Sequence, residues 1–155
     1  MRFTVSPEQL KFFHLNGYLE LEELISEQEA SVLITSIKGI KTKSPGYPEE
    51  NLFRSIPQIA NLARKRGWGR IAAELLHKRP LRLKFDKFFS TTPVTLEPLE
   101  DNSCGILVNL DTKKAIFFRQ SPFPENLYNS TQNCYLLLVV TSNFLPDKLN
   151  PIIVQ

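Results

Sequence analysis

The hydrophobic period changes once along this chain, near Pro80, and that switch limits the architectures open to it. Before Pro80 the apolar residues recur at helical spacing, and from Leu81 they alternate. Helices followed by a run of short strands point to an α+β domain, in which an antiparallel sheet or small barrel carries the helices on one face. The 155 residues suit a single domain, residues 1–155, with a mainly helical part over 1–80 that includes one short strand, and a β-rich part over 81–155.

Local signals place the elements. Ser6, Pro7 and Gln9 form a capping-box start, Leu10 and Phe13 give that helix an apolar side, and Gly17 can end it. Tyr18, Leu19 and Leu21 read as a short strand ending near Leu24. Ser26 and Glu29 make a second capping box, and Ala30, Leu33, Ile34 and Ile37 form the stripe of a helix that Gly39 is expected to stop. Residues 41–50, with two prolines and a glycine, read as a loop. Leu52, Ile56, Ile59, Ala60 and Ala63 return to helical spacing, with Pro57 in a first turn. Gly67 interrupts the pattern, and Trp68, Ile71, Ala72, Leu75 and Leu76 resume it to about Lys78. Beyond Pro80, Leu81, Leu83 and Phe85 alternate with Arg82, Lys84 and Asp86. Further strands are expected at 94–99, 105–110, 115–119 and 134–141. No internal repeat is visible.

Three segments carry a family resemblance. The opening SPEQLKFFHLNGYLELEELISEQEA resembles the amino-terminal signature of the phytanoyl-CoA dioxygenase family, which are iron(II)- and 2-oxoglutarate-dependent oxygenases. LFRSIPQIANLARKRGWGRIAAELLHKRPLRLKFDKFF is similar to that family's helix pair leading into the first long strand. KKAIFFRQSPFPENLYNSTQNCYLLLVV is similar to its late metal-and-cosubstrate stretch. The resemblance implies a double-stranded β-helix, a cupin-like jelly roll with amino-terminal helices packed on one side. For an active member it also implies Fe(II) held by two histidines and a carboxylate, and an arginine paired with 2-oxoglutarate.

The chain departs from the family pattern where that chemistry should sit. A histidine and an aspartate two apart on a strand share one face and so can share one metal. The only histidines are His14 and His77, followed two places on by Asn16 and Arg79. The stretch STTPVTLEPLEDNS offers Glu97, Glu100 and Asp101 but no histidine. SPFPENLYNS has no second histidine, and no arginine falls near Asn133 or Cys134. The expected protein is therefore a short form of the family without iron, 2-oxoglutarate or catalytic residues. His14 and His77 are expected in packing or surface roles, with His77 in a last helical turn where positive charge is favoured.

Other enzyme chemistry finds little support. Cys104 and Cys134 make neither a disulfide framework nor a CxxC site, and both read as inert buried thiols. There is no GxSxG, P-loop or GxGxxG pattern, and the adjacent Glu100 and Asp101 read as a turn. The longest apolar run, 135–140, is too short to span a bilayer. No charged n-region with an apolar core opens the chain, so no secretory signal and no membrane partner are expected. A cytoplasmic location is the default.

Binding is the function that remains. A barrel mouth without its metal is still a place for a small ligand. Arg82, Lys84 and Arg119 are the candidate contacts for a small anion, with a protein partner as the other possibility. The alternative is a basic nucleic-acid-binding or metal-responsive regulator. Residues 61–90 hold nine basic and two acidic residues, an excess of seven in a chain of net charge +3. Within them Arg64, Lys65, Arg66 and Arg70 surround Trp68, so phosphate contact and base stacking are available in principle. Trp68 also fits the apolar stripe of its helix. An active oxygenase with unusual ligands is the third reading.

Overall fold

The computed structural model describes residues 5–43, 52, 56–65, 67–89, 96–119 and 133–143; the side chains of 40–43 and 65 lie outside the description. Four helices and five strands are seen: α1 (Pro7–Asn16), β1 (Tyr18–Leu21), α2 (Glu27–Lys43), α3 (Pro57–Lys65), α4 (Trp68–Leu76), β2 (Arg82–Phe89), β3 (Ser103–Asn109), β4 (Ala115–Phe118) and β5 (Tyr135–Thr141).

Both capping boxes form. Ser6 Oγ accepts from the Gln9 N–H at 3.1 Å, and the Gln9 side chain accepts from the Ser6 N–H at 3.0 Å. Ser26 and Glu29 repeat the exchange at the start of α2. Gly17 closes α1 in the left-handed region (φ 80°), its N–H donating to the Phe13 carbonyl at 2.7 Å.

Gly39 does not stop α2, which runs on to Lys43. Glycine in a helix costs about 1 kcal/mol relative to alanine, too little to end a helix already held by Leu33 and Ile37 in the core. The expected loop is correspondingly shorter: 41–43 are helical and 44–50 lie outside the described residues. Pro57 is the first residue of α3 as expected, and Gly67 separates α3 from α4 at φ 85°. His77 is the C-cap of α4 in the left-handed region (φ 55°), one step beyond the last turn in which it was expected.

The strands form one antiparallel sheet in the order β1-β4-β3-β5-β2. One face packs on the helices. There Phe13, Leu33, Ile59, Trp68 and Leu75 meet Leu83, Phe88, Ile106, Phe117, Leu138 and Val140. The opposite face is also apolar, with Phe89, Leu107, Ile116, Phe118, Tyr135, Leu137 and Val139 buried. Burial on both sides explains the unbroken apolar run of β5, which no alternation could have announced.

Two strand expectations change. The expected 94–99 strand is not formed over its described part, since 96–99 have no regular structure but place Leu96 and Leu99 against the second face. In β2, Leu81, Leu83 and Phe85 do not share a face. The register steps from Leu83 opposite Val140 to Phe85 opposite Val139, leaving Lys84 as a bulged residue. One extra residue reverses the phase of every side chain after it. Phe85 is thereby turned to the second face, while Asp86 enters the helix side, fully buried, and accepts the Leu52 N–H at 2.7 Å.

Candidate functional site

Several chain ends converge at one rim of the sheet. α1 ends at Asn16, α4 at Leu76 and β4 at Phe118, and the 98–102 segment leads into β3. Between them lies a cavity of about 600 Å³ whose lining includes His14, Lys78, Arg119, Glu100, Asp101 and Ser103. That volume is in the range of small-molecule sites.

Arg119 is the best-held cation of the cavity. Alternation along β4 sends Phe118 to the second face and Arg119 towards the helices. Its N–H donates to the Gly17 carbonyl at 3.0 Å, docking the strand end against the cap of α1. Its Nη2 donates to the His14 carbonyl at 2.7 Å, one of the last carbonyls of α1, which have no partner within the helix. The guanidinium also lies over the Phe13 ring, 5.7 Å from its centre. Its Nε is buried, with no hydrogen-bond partner among the described residues. One face of the group is thus anchored, and donors remain for an incoming oxygen.

The facing wall is equally fixed. The Asn143 side chain donates to the Asp101 carbonyl at 2.9 Å, and the Ser142 N–H donates to the Asn102 carbonyl at 3.0 Å. Ser103 Oγ and Thr141 Oγ1 are hydrogen-bonded at 2.9 Å, both buried. Glu100 reaches round the segment to Lys84, 3.2 Å away. Lys84 lines a second hollow of about 360 Å³ on the other face, with Phe85, Lys87, Phe118, Leu137 and Val139 among its walls. Of the three candidate anion contacts, Arg119 and Lys84 therefore flank the same 98–103 segment from opposite sides. Arg82 sits at the start of β2 opposite Thr141 and is not among the described lining of either hollow.

The two histidines, far apart in sequence, meet. Their rings stack with centroids 5.7 Å apart and planes within 2° of parallel. His14 lines the rim cavity, and His77 lines a neighbouring hollow of about 530 Å³ together with Glu74 and Lys78. Nothing in the spacing of the sequence announces this pairing, which arises because α1 and α4 pack with their C-terminal ends together.

An oxygenase iron centre needs two imidazoles and a carboxylate converging on one ion. Both imidazoles of this chain belong to the ends of helices. Among the described residues no three His, Cys, Asp or Glu side chains come together. The second face of the sheet offers Phe89, Leu107, Ile116, Phe118 and Leu137. These residues do not fit the iron triad.

Within the basic block of 61–90 the aromatic residue is withdrawn into the core. Trp68 is fully buried, and its Nε1 donates to the Leu24 carbonyl at 3.2 Å, so the indole is not available to stack on a base. This corrects its candidacy as a nucleic-acid contact, because the apolar stripe of α4 claims it. Arg64 is exposed on α3, Arg70 is half-buried, Lys65 is helical with its side chain outside the description, and Arg66 lies outside the described residues.

Cys104 is fully buried, and burial pushes its thiol up to about 12, against a smaller lowering by a backbone hydrogen bond at Phe118. Cys134, expected to be buried, is half-buried just ahead of β5, where its N–H donates to Asp111 Oδ2 at 2.7 Å.

The chain matches no protein-family model and no curated protein. Solved structures do share its fold. CT296 from Chlamydia trachomatis matches over 92% of this chain and 99% of its own, with a TM-score of 0.75 and 21% identity. SnoK, a non-heme alpha-ketoglutarate-dependent carbocyclase from nogalamycin biosynthesis, matches over 97% and 93%, with a TM-score of 0.63 and 12% identity. HygX from Streptomyces hygroscopicus, solved with nickel and 2-oxoglutarate bound, matches over 92% and 89%, with a TM-score of 0.66 and 12% identity. The likeness is one of fold alone, helices packed on an antiparallel sheet.

Proposed function

We propose that this protein is an oxygenase-type scaffold that has given up oxygenase chemistry and binds a small anionic ligand at the rim cavity around Arg119. In this reading the chain is one cytoplasmic domain. Its full architecture is the double-stranded β-helix, of the phytanoyl-CoA dioxygenase-like branch. The observation that carries the reading is the donor set. The second face of the sheet is packed with aromatic and aliphatic side chains, and the only two imidazoles stack on each other at helix ends. Arg119, anchored on His14 and Phe13 with donors left over, supports the binding half of the reading.

Two measurements test it. Melting with Fe(II) or Mn(II) plus 2-oxoglutarate under anaerobic conditions is expected to leave Tm unchanged, since only a ligand of the folded state raises it. A joint rise, abolished in His14→Ala and His77→Ala, would restore the oxygenase reading. Small carboxylates and inorganic phosphate, titrated by calorimetry, are expected to bind the wild type and to lose about tenfold or more in affinity in Arg119→Ala, the loss of a charge-assisted hydrogen bond.

A further inference from the structure

Opposite charges line the rim cavity without neutralising each other. Lys78 and Arg119 come from the ends of α4 and β4. Glu100 and Asp101 come from the segment before β3. Among the described residues no ion pair joins either cation to either acid; Glu100 is paired outside the cavity with Lys84, and Asp101 has no ionic partner. Hydrogen bonds within each wall hold them apart: Arg119 is tied to α1, and the carbonyls of 101 and 102 to Asn143 and Ser142. A purely anionic ligand at Arg119 and Lys78 would share the cavity with the Asp101 carboxylate, a charge of its own sign, which opposes its binding. A ligand that also carries an ammonium group turns that repulsion into attraction.

We infer that the ligand of this cavity is a zwitterion of the α-amino-acid kind, its carboxylate on Arg119 and Lys78 and its ammonium towards Asp101. The inference rests on the proposed anion-binding role of Arg119 and names the ligand class of that site. Leu75, Leu76, Pro98 and Leu99 complete the lining and give an apolar place for a side chain. Because both walls are already fixed by their own hydrogen bonds, little ordering is left for the ligand to bring about.

The test is a titration of the full chain with each of the twenty free α-amino acids, followed by the deaminated acid and the decarboxylated amine of the best binder. The amino acid is expected to bind at least about tenfold more tightly than either fragment. Asp101→Asn should bring it down to the affinity of its deaminated acid. Lys78→Ala, at an exposed position that leaves the fold alone, should weaken amino acid and acid alike. If the deaminated acid binds as tightly as the amino acid, to the wild type and to Asp101→Asn alike, the zwitterion is wrong and the anion site stands. If neither the amino acids nor the acid binds, both readings fall.

Discussion

Gly105 and Phe118 face each other across the β3–β4 ladder, and the aromatic ring lies where a Cβ on residue 105 would have to go. Gly105→Ala should therefore destabilise the protein by about 1–3 kcal/mol, the usual cost of overpacking. Phe118→Leu in the same chain should recover part of it; denaturant unfolding of the two variants measures both. Cys104 makes a second prediction at this scale. Its thiolate is disfavoured in the fold, so iodoacetamide at pH 9 should label Cys134 and spare Cys104 until the chain unfolds. The sign of its pH dependence follows from a folded pKa raised above the ordinary one. Its contribution to stability is complete below 9.0 and is lost as pH rises towards about 12. The loss is read as the difference between the wild type and Cys104→Ala as pH rises above 9.0. The inertness of Cys104 was legible in its sequence surroundings. The exposure of Cys134 was not, because it depends on where the strand pairing of β5 begins.

At the scale of the element, α2 shows how weak a stop signal is when packing opposes it. Among the described residues nothing lies within 4 Å of a Cβ added at Gly39, and its backbone is helical. Gly39→Ala should thus stabilise the protein by about 0.5–1 kcal/mol, seen as a higher denaturant midpoint with an unchanged slope. The capping boxes at Ser6 and Ser26 were readable because both partners lie within one turn of each other. The bulge at Lys84 was not, because a bulge is a property of two strands and β5 lies far along the chain. Its consequence is large: the alternation that correctly marked β2 as a strand gave the wrong face for Phe85 and Asp86.

For the whole molecule, the sheet is the layer on which everything else is registered. β3 and β5 are paired on both edges and buried on both faces, whereas β1 is a four-residue edge strand. Amide hydrogen exchange should therefore be slowest in β3 and β5, at rates set by global unfolding, and much faster in β1. Comparable protection in β1 would contradict the two-sided core described above. The sequence alone determined the α+β class, the point where helices give way to strands, the start of α1 and α2, and the absence of the histidine–carboxylate spacing that an iron centre requires. All of these are statements about neighbours along the chain, and local propensity and periodicity act at that range. Only the tertiary structure decided that Trp68 is core, that Arg119 turns towards the helices, that the two histidines stack, and that cations and acids face one another across one cavity. Those arrangements depend on helix ends and strand registers that meet only after the chain has collapsed, when burial of both faces of the sheet fixes which side of each element is left for the rim.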